Sequence, residues 1–123
     1  MSAARAKGTA AETAVVRFLQ ANGYPNAERR ALAGSQDRGD IAGIPGVVIE
    51  VKAAARLELA AWVDEALTEA INAGASMAVV WHKRRGKGSP GDWYVTMDGL
   101  DFVNLLSDHV FVRHAMREDD DDD

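Results

Sequence analysis

Apolar residues in the first third of the chain follow a helical period and then a strand-like one. The segment VVRFL (residues 15–19) places apolar side chains at helical spacing, and the pattern Thr9-x-x-Glu12 before it has the spacing of a capping box. We therefore predict a helix over residues 9–22. The segment AERRAL (residues 27–32) is a predicted strand, and the residues after it, AGSQDRG, are rich in turn formers.

Two short apolar segments follow within the sequence GDIAGIPGVVIEVK. We predict strands over residues 40–44 and 47–52, joined as a hairpin by the turn dipeptide Pro45-Gly46. Alternate side chains of a strand share a face, so Glu50 and Lys52 point to the same side, about 7 Å apart. Pairing across the turn brings the start of the first strand beside the end of the second.

The rest of the chain alternates between helical and strand-like apolar patterns. A strand–helix–strand segment predicts one crossover connection in a mixed sheet, and the order of elements predicts a small α/β domain. The predicted elements are a helix over 57–73 ended by Gly74, strands over 77–81 and 93–97, and a helix over 100–106 capped by Asp98.

The charge of the chain is unevenly distributed. The formal net charge is −5, but the C-terminal run EDDDDD (118–123) alone carries six negative charges, which leaves residues 1–117 with 14 basic and 13 acidic residues. We predict one domain over 1–117 and a disordered acidic tail over 118–123. The tail is interpreted as a solubilising segment, a mimic of DNA phosphates that competes for basic residues, or a docking segment. Mild autoinhibition by phosphate mimicry is our hypothesis.

Composition removes several classes of protein. The chain has no cysteine, which excludes disulfide scaffolds, thiolate zinc sites and cysteine nucleophiles. No apolar run approaches the roughly 20 residues that span a bilayer, and the N-terminus lacks the apolar region of a signal peptide. We expect a cytoplasmic protein that does not interact with a membrane.

The charged residues of the predicted hairpin have two interpretations. Glu50 and Lys52 could face water on a half-exposed sheet, with Asp40 as a turn residue, because polar and apolar residues alternate in many strands. Alternatively, Asp40 and Glu50 bind Mg²⁺, which takes one or two protein carboxylates together with water and substrate phosphate. Two close carboxylates repel unless a cation lies between them, and a lysine beside them could orient or deprotonate an attacking water. Spacing alone leaves both interpretations open.

These residues resemble a known motif. Asp40, nine intervening residues and then Glu50-Val51-Lys52 are similar to the PD-(D/E)XK nuclease motif, with Gly39 in place of its leading proline. Together with Glu12, the loop GSQDRGD and the order of elements, residues 8–107 resemble the archaeal-type Holliday junction resolvases and their phage relatives. The resemblance implies a restriction-endonuclease-like core, a mixed central sheet flanked by helices.

The resemblance also implies roles for individual residues. Lys52 would position the nucleophilic water and stabilise developing charge, and Ser35 would lie close to the scissile phosphate. A turn residue is the alternative for Ser35, and a helix cap is the alternative for Glu12. The implied ligands of Mg²⁺ (or Mn²⁺) are Asp40, Glu50, the backbone carbonyl of Val51 and, directly or through water, Glu12.

The helix that follows the Glu-x-Lys strand departs from the pattern of this superfamily. Several of its nucleases place a glutamine or another polar group there. This helix has no glutamine, and its polar positions are Asp64, Glu65 and Glu69. We interpret these three acids as a solvated helix surface.

Basic residues cluster at two places and are candidates for DNA contacts. Arginines flank the first two predicted strands, and KRRGK opens a glycine-rich loop that lacks the spacing of a phosphate-binding P-loop. A solvated loop tip is the alternative for the second cluster. The candidate DNA-binding residues are Arg29, Arg30, Arg38, Lys83, Arg84, Arg85 and Lys87.

The sequence and the resemblance together predict a metal-dependent DNA endonuclease. The resemblance favours a homodimeric resolvase that cuts four-way junctions by paired symmetric nicks, since one small chain offers one active site. The alternatives are another nuclease of the superfamily that acts in DNA repair or restriction, and a DNA-binding module that keeps the fold but does not cut.

Overall fold

The predicted order of elements is confirmed. The structure, a computed structural model, describes residues 2–30 and 38–121. Its elements are α1 (Ala3–Ala21), β1 (Glu28–Arg29), β2 (Ile41–Ala42), β3 (Val47–Lys52), α2 (Leu59–Ala73), β4 (Met77–His82), β5 (Tyr94–Thr96) and α3 (Gly99–Asp121).

The main sheet is a mixed, three-stranded sheet in the order β3-β4-β5. Strands β3 and β4 are parallel, with Val47 opposite Met77 and Lys52 opposite His82, and β5 is antiparallel to β4. Helix α2 connects the two parallel strands, which confirms the predicted crossover, and it ends at Gly74 in the left-handed conformation (φ 64°). Because β3 and β4 are parallel, their carboxyl ends lie at the same edge of the sheet.

Helices cover both faces of this sheet, so both faces of β3 are buried. On one face Ile49 and Val51 pack with Ala11, Val15 and Val16 of α1. The opposite face lies against α2, so side chains of both parities along β3 are buried. The strand therefore lies in a three-layer arrangement rather than on a half-exposed sheet. The buried apolar residues on the α2 side are Val48, Trp62, Ala66, Ala70, Ala78 and Val80.

The predicted hairpin between β2 and β3 is wrong as a pair of laddered strands. Strand β2 pairs with β1 in a separate two-stranded sheet, and in the described part of the chain no ladder joins β2 to β3. Gly43 has a φ of 87° and lies so close to Asn26 that an added Cβ would collide with the Asn26 carbonyl, which ends β2 after two residues. Contact with β3 is made instead by Asp40, whose N–H donates to the Ile49 carbonyl at 2.9 Å.

The first helix starts earlier than predicted. Ser2 is its N-cap, and the Ser2 hydroxyl accepts a hydrogen bond from the Arg5 N–H at 3.1 Å. Thr9 and Glu12 therefore lie in the interior of α1, and the capping-box interpretation is wrong. A serine followed by helix-forming alanines is a sufficient start signal, which we overlooked in favour of the longer motif.

The last helix is longer than predicted. Asp98 caps it as expected, since its side chain accepts from the Asp101 N–H at 2.8 Å. No glycine or proline follows Gly99 in the chain, and α3 continues to Asp121. Residues 118–121 of the acidic run, which we expected to be disordered, thus belong to a helix. No helix in the described ranges is long and apolar enough to cross a membrane.

Candidate active site

Asp40 is fixed against the edge of β3. Its Oδ2 accepts a hydrogen bond from the Val51 N–H at 2.7 Å, and its own N–H donates to Ile49. The Val51 N–H and the Ile49 carbonyl lie on the edge of β3 away from β4, and Asp40 satisfies both. Asp40 thereby covers this strand edge and places its carboxylate there. The arrangement places Asp40 beside Glu50, as the motif predicts.

Glu50 is buried, with 3% of its surface exposed. It points from β3 towards α2, between Val48 and Lys52 on the same face. Its Oε1 meets no hydrogen-bond donor in the described part of the chain, because the neighbouring Glu69 carboxyl is also an acceptor unless one of the two carries a proton. The interpretation of Glu50 as a water-facing strand residue is therefore wrong.

Helix α2 supplies an acid to this site that sequence reasoning missed. Glu69 is 5% exposed, and one carboxylate oxygen from each of Glu50, Glu65 and Glu69 lie within 4.8 Å of one another. Asp64 is exposed, as predicted for a solvated surface, but that interpretation is wrong for Glu69. The overlooked signal was periodicity: Glu69 lies seven residues after the buried Trp62, inside the apolar stripe of the helix.

The buried carboxyls have strongly perturbed pKa values. Burial above all raises the pKa of Glu50 from 4.5 to about 11, and a hydrogen bond with Glu69 and the charge of Asp40 act in the same direction. Burial also raises the pKa of Asp40 to about 6, although the Val51 N–H opposes this effect. A site with such carboxyls favours protons or a cation, because neighbouring buried negative charges repel.

Lys52 lies where the acidic cluster meets solvent. Its Nζ is 3.9 Å from Glu50 Oε2 and 3.4 Å from Glu65 Oε2, and 23% of its side chain is exposed. The ammonium group thus bridges a buried and an exposed carboxylate at the end of β3. It can reach both the acids and a ligand that approaches from solvent.

Glu12 is near the cluster but has a partner of its own. Its Oε2 accepts from Arg29 at 3.0 Å (Nε) and 2.9 Å (Nη2), and its side chain is 19% exposed. The charge of Glu12 contributes to the raised pKa of Asp40, so the two carboxylates interact electrostatically. Arg29, predicted to contact DNA, is largely neutralised by this ion pair.

Gly39 and Ser35 are two further positions of the motif. Gly39 has a φ of 97°, and a Cβ there would lie 2.9 Å from a methyl group of Val48. Proline has a fixed negative φ and cannot adopt this conformation, which accounts for the missing proline in this chain. Ser35 lies outside the described residues, as do the last two residues of the predicted strand 27–32.

The basic loop begins at the same sheet edge as Lys52. The Lys83 N–H donates to the Lys52 carbonyl at 2.9 Å, directly after β4. The loop is ordered by its own contacts: Arg84 donates to the Asp92 carbonyl at 2.8 Å and stacks on Tyr94 at 4.3 Å, and the Trp93 indole donates to the Lys87 carbonyl at 2.8 Å. These contacts fix the backbone of the loop, while Lys83, Arg85 and Lys87 in it are exposed.

A cavity of about 660 Å³ lies between this loop and the chain that follows β3. It starts one residue beyond Lys52, and the acids and Lys52 itself do not line it. Its rim combines cations with an exposed aromatic ring, Tyr94. The residues that line it include Lys7, His82, Lys83, Arg84, Arg85 and Tyr94.

The other two predicted DNA-binding arginines lie elsewhere. Arg30 and Arg38 line a smaller cavity of about 220 Å³ together with the turn Pro45-Gly46 and the first residues of β3. These arginines line a different cavity from the basic loop, and the Arg30 N–H donates to the Asp40 carbonyl at 2.8 Å. The structure thus brings Lys83, Arg84, Arg85 and Lys87 together but does not add Arg30 and Arg38 to the same surface.

Comparison of the chain with protein-family models, with curated proteins and with solved structures gave no match. A function is therefore inferred from the site residues, their geometry and the resemblance of the motif.

Proposed function

We propose that this protein is a metal-dependent DNA endonuclease and that its active site is formed by Asp40, Glu50 and Lys52. The observation that carries the proposal is the burial of Glu50 beside Asp40, with an oxygen that meets no donor among the described residues. Buried carboxyl groups are destabilising unless paired or bound to a metal, and perturbed carboxyls cluster at functional sites. A purely structural role would be served better by an apolar residue at position 50.

A divalent cation such as Mg²⁺ or Mn²⁺ fits the donor set, because carboxylate oxygens are the ligands that these hard cations prefer. Asp40 and Glu50 would hold the ion, with the Val51 carbonyl and Glu12 as the further ligands that the resemblance implies. Bound there, the ion would polarise the phosphate and lower the pKa of a water molecule. Asp40 keeps its position through the Val51 N–H, which is a backbone contact independent of the ion.

Lys52 has the position required of a group that acts on the phosphate. Phosphodiester hydrolysis forms a P–O bond to water and breaks a P–O bond to the leaving oxygen, and negative charge grows on the phosphoryl oxygens in between. An ammonium group at the exit of the acidic cluster can orient the water and offset that charge. The Glu65 carboxylate, 3.4 Å from Nζ, positions the lysine from the side of α2.

We favour DNA as the substrate because a basic loop lies on one side of the acidic cluster. Lys83 begins a basic loop that is backbone-bonded to Lys52, and Arg85 and Lys87 in that loop are exposed. Exposed cations next to an acidic metal site can hold the phosphates on either side of the bond to be cut. Four-way junctions and a homodimer with two active sites remain proposals from the resemblance to resolvases.

The test is cleavage of an immobile four-way junction, a flap and a linear duplex, each with Mg²⁺ and with EDTA. We expect symmetric nicks on the junction with Mg²⁺ and none with EDTA. Asp40→Asn and Lys52→Ala should each lower the rate by about 10²-fold or more, because each removes a group that acts on the reacting phosphate or its metal. Asp64→Asn is the matched control, since Asp64 is an exposed acid on α2.

The outcomes separate the candidate functions. Cleavage of every substrate would favour a general repair or restriction-like nuclease over a resolvase. Binding of DNA by the wild type without cleavage in Mg²⁺ would reject the catalytic proposal and leave a DNA-binding module.

A further inference from the structure

Glu69 occupies a position where a carboxylate is costly. It lies on the face of α2 that packs on the sheet, in the same stripe as Trp62, Ala66 and Ala70, and only 5% of it is exposed. Glutamate is almost never buried to this degree unless it has a partner, and the partner of Glu69 is another acid, because it hydrogen-bonds with Glu50. An alanine would fill the same stripe, so the carboxylate requires an explanation beyond packing.

The carboxylates of α2 and β3 converge. The three candidate oxygens of Glu50, Glu65 and Glu69 lie within 4.8 Å of one another. Ligand oxygens around Mg²⁺ at roughly 2.1 Å are about 3–4 Å apart, so small side-chain rotations would complete such a shell. Glu65 is half exposed and contacts Lys52, whereas Glu50 and Glu69 are both buried.

A second observation points to a cation in addition to the cluster itself. Glu50 Oε1 is buried and meets no donor among the described residues, although almost all buried polar atoms in proteins have a hydrogen-bond partner. Glu50 and Glu69 can hydrogen-bond to each other only while one of them carries a proton, because ionised carboxylates only accept hydrogen bonds, and a cation replaces that proton when both are ionised. A cation bound by these carboxylates accounts for both observations, the convergence of the acids and the oxygen without a donor.

We propose that Glu69 is a ligand of the divalent cation together with Glu50, so that the metal is held between β3 and α2. The role of this ion in DNA cleavage rests on the proposed function, but its binding does not. The helix after the Glu-x-Lys strand thereby supplies an acid to the metal in this chain, at a position where the sequence suggested only a solvated surface.

The experiment is calorimetric titration of the full-length, metal-free protein with MnCl₂ in the absence of DNA. We expect Glu69→Gln to weaken Mn²⁺ binding by at least about tenfold, because even partners outside the ligand shell change metal affinity by that factor. Asp64→Asn removes the same charge from the exposed face of α2 and should bind as the wild type does. Thermal unfolding in EDTA checks folding: Glu69→Gln should be at least as stable as the wild type, since its amide carries no buried charge.

The outcomes distinguish this proposal from the proposed function. Equal Mn²⁺ affinity of Glu69→Gln and the wild type, or an equal loss in Asp64→Asn, would overturn the role of Glu69 while leaving nuclease activity to be judged by cleavage. Loss of binding in Asp40→Asn but not in Glu69→Gln would also overturn it. Mn²⁺ binding that depends on Glu69 in a protein that cuts no DNA would support the site and reject the nuclease.

Discussion

At the scale of single residues, one pattern permitted two opposite conclusions. Alternating polar and apolar residues along 47–52 describe a half-exposed strand as well as a strand that carries a metal site. Burial distinguishes them, because α2 covers the face on which Glu50 lies. The sequence could identify Asp40, Glu50 and Lys52 through the motif, but it could not show that Glu50 is removed from water.

The same residue predicts an unusual pH dependence of stability without metal. A carboxyl whose pKa is raised on folding stabilises the fold fully below its unfolded pKa and loses that contribution as pH rises towards its folded pKa. For Glu50 this window runs from 4.5 to about 11. In EDTA we expect the stability of the wild type to fall as the pH rises through this window.

Glu50→Gln should remove most of this slope. Its amide does not titrate, so the variant should have a higher Tm than the wild type at pH 8 in EDTA, and a smaller difference at pH 5. Asp40, with its pKa raised from 3.8 to about 6, adds a loss of stability between these values in both proteins. Thermal unfolding at a series of pH values measures the effect, and parallel curves for the two proteins would contradict it.

At the scale of elements, local signals predicted what local contacts determine. The crossover helix, its glycine stop at Gly74 and the apolar strand at 77–81 are confirmed because periodicity and a capping residue suffice to define them. The hairpin was wrong because the turn Pro45-Gly46 indicates only a reversal of the chain. The strand that β2 pairs with depends on the tertiary position of Asn26, which no local pattern contains.

Gly43 should be the glycine on which the β1–β2 unit depends. Its φ of 87° disfavours any side chain, and a Cβ would collide with the Asn26 carbonyl, so Gly43→Ala should destabilise the protein by about 3 kcal/mol or more. Gly8→Ala is the matched control: Gly8 lies within α1 and faces open space, so this change should stabilise by about 1 kcal/mol. Urea denaturation measures both, and equal effects of the two substitutions would refute the assignment.

At the scale of the whole molecule, chain topology brings opposite charges together. Two parallel strands end at one sheet edge, so the acids near the end of β3 and the cations after β4 become neighbours although about 30 residues of chain separate them. The sequence indicated the acids and two separate groups of basic residues, but it could not show which basic group lies beside the acids. Arg30 and Arg38 line a separate cavity next to the first residues of β3, whereas the basic loop follows β4 beside Lys52.

This arrangement predicts that DNA affinity depends on the basic loop more than on total charge. We expect the triple variant Lys83→Gln, Arg85→Gln, Lys87→Gln to bind duplex and junction DNA more weakly and to reduce the slope of log K against log salt by up to about 3, since each phosphate contact contributes nearly one unit. Arg84 is left unchanged because it stacks on Tyr94 and bonds to the Asp92 carbonyl. Fluorescence anisotropy in EDTA over a series of NaCl concentrations measures the slope without cleavage.

The control exchanges three exposed arginines for glutamine outside the cavity, and an equal loss of slope in that variant would show that net charge, not the loop, carries binding. The control residues are Arg17, Arg113 and Arg117.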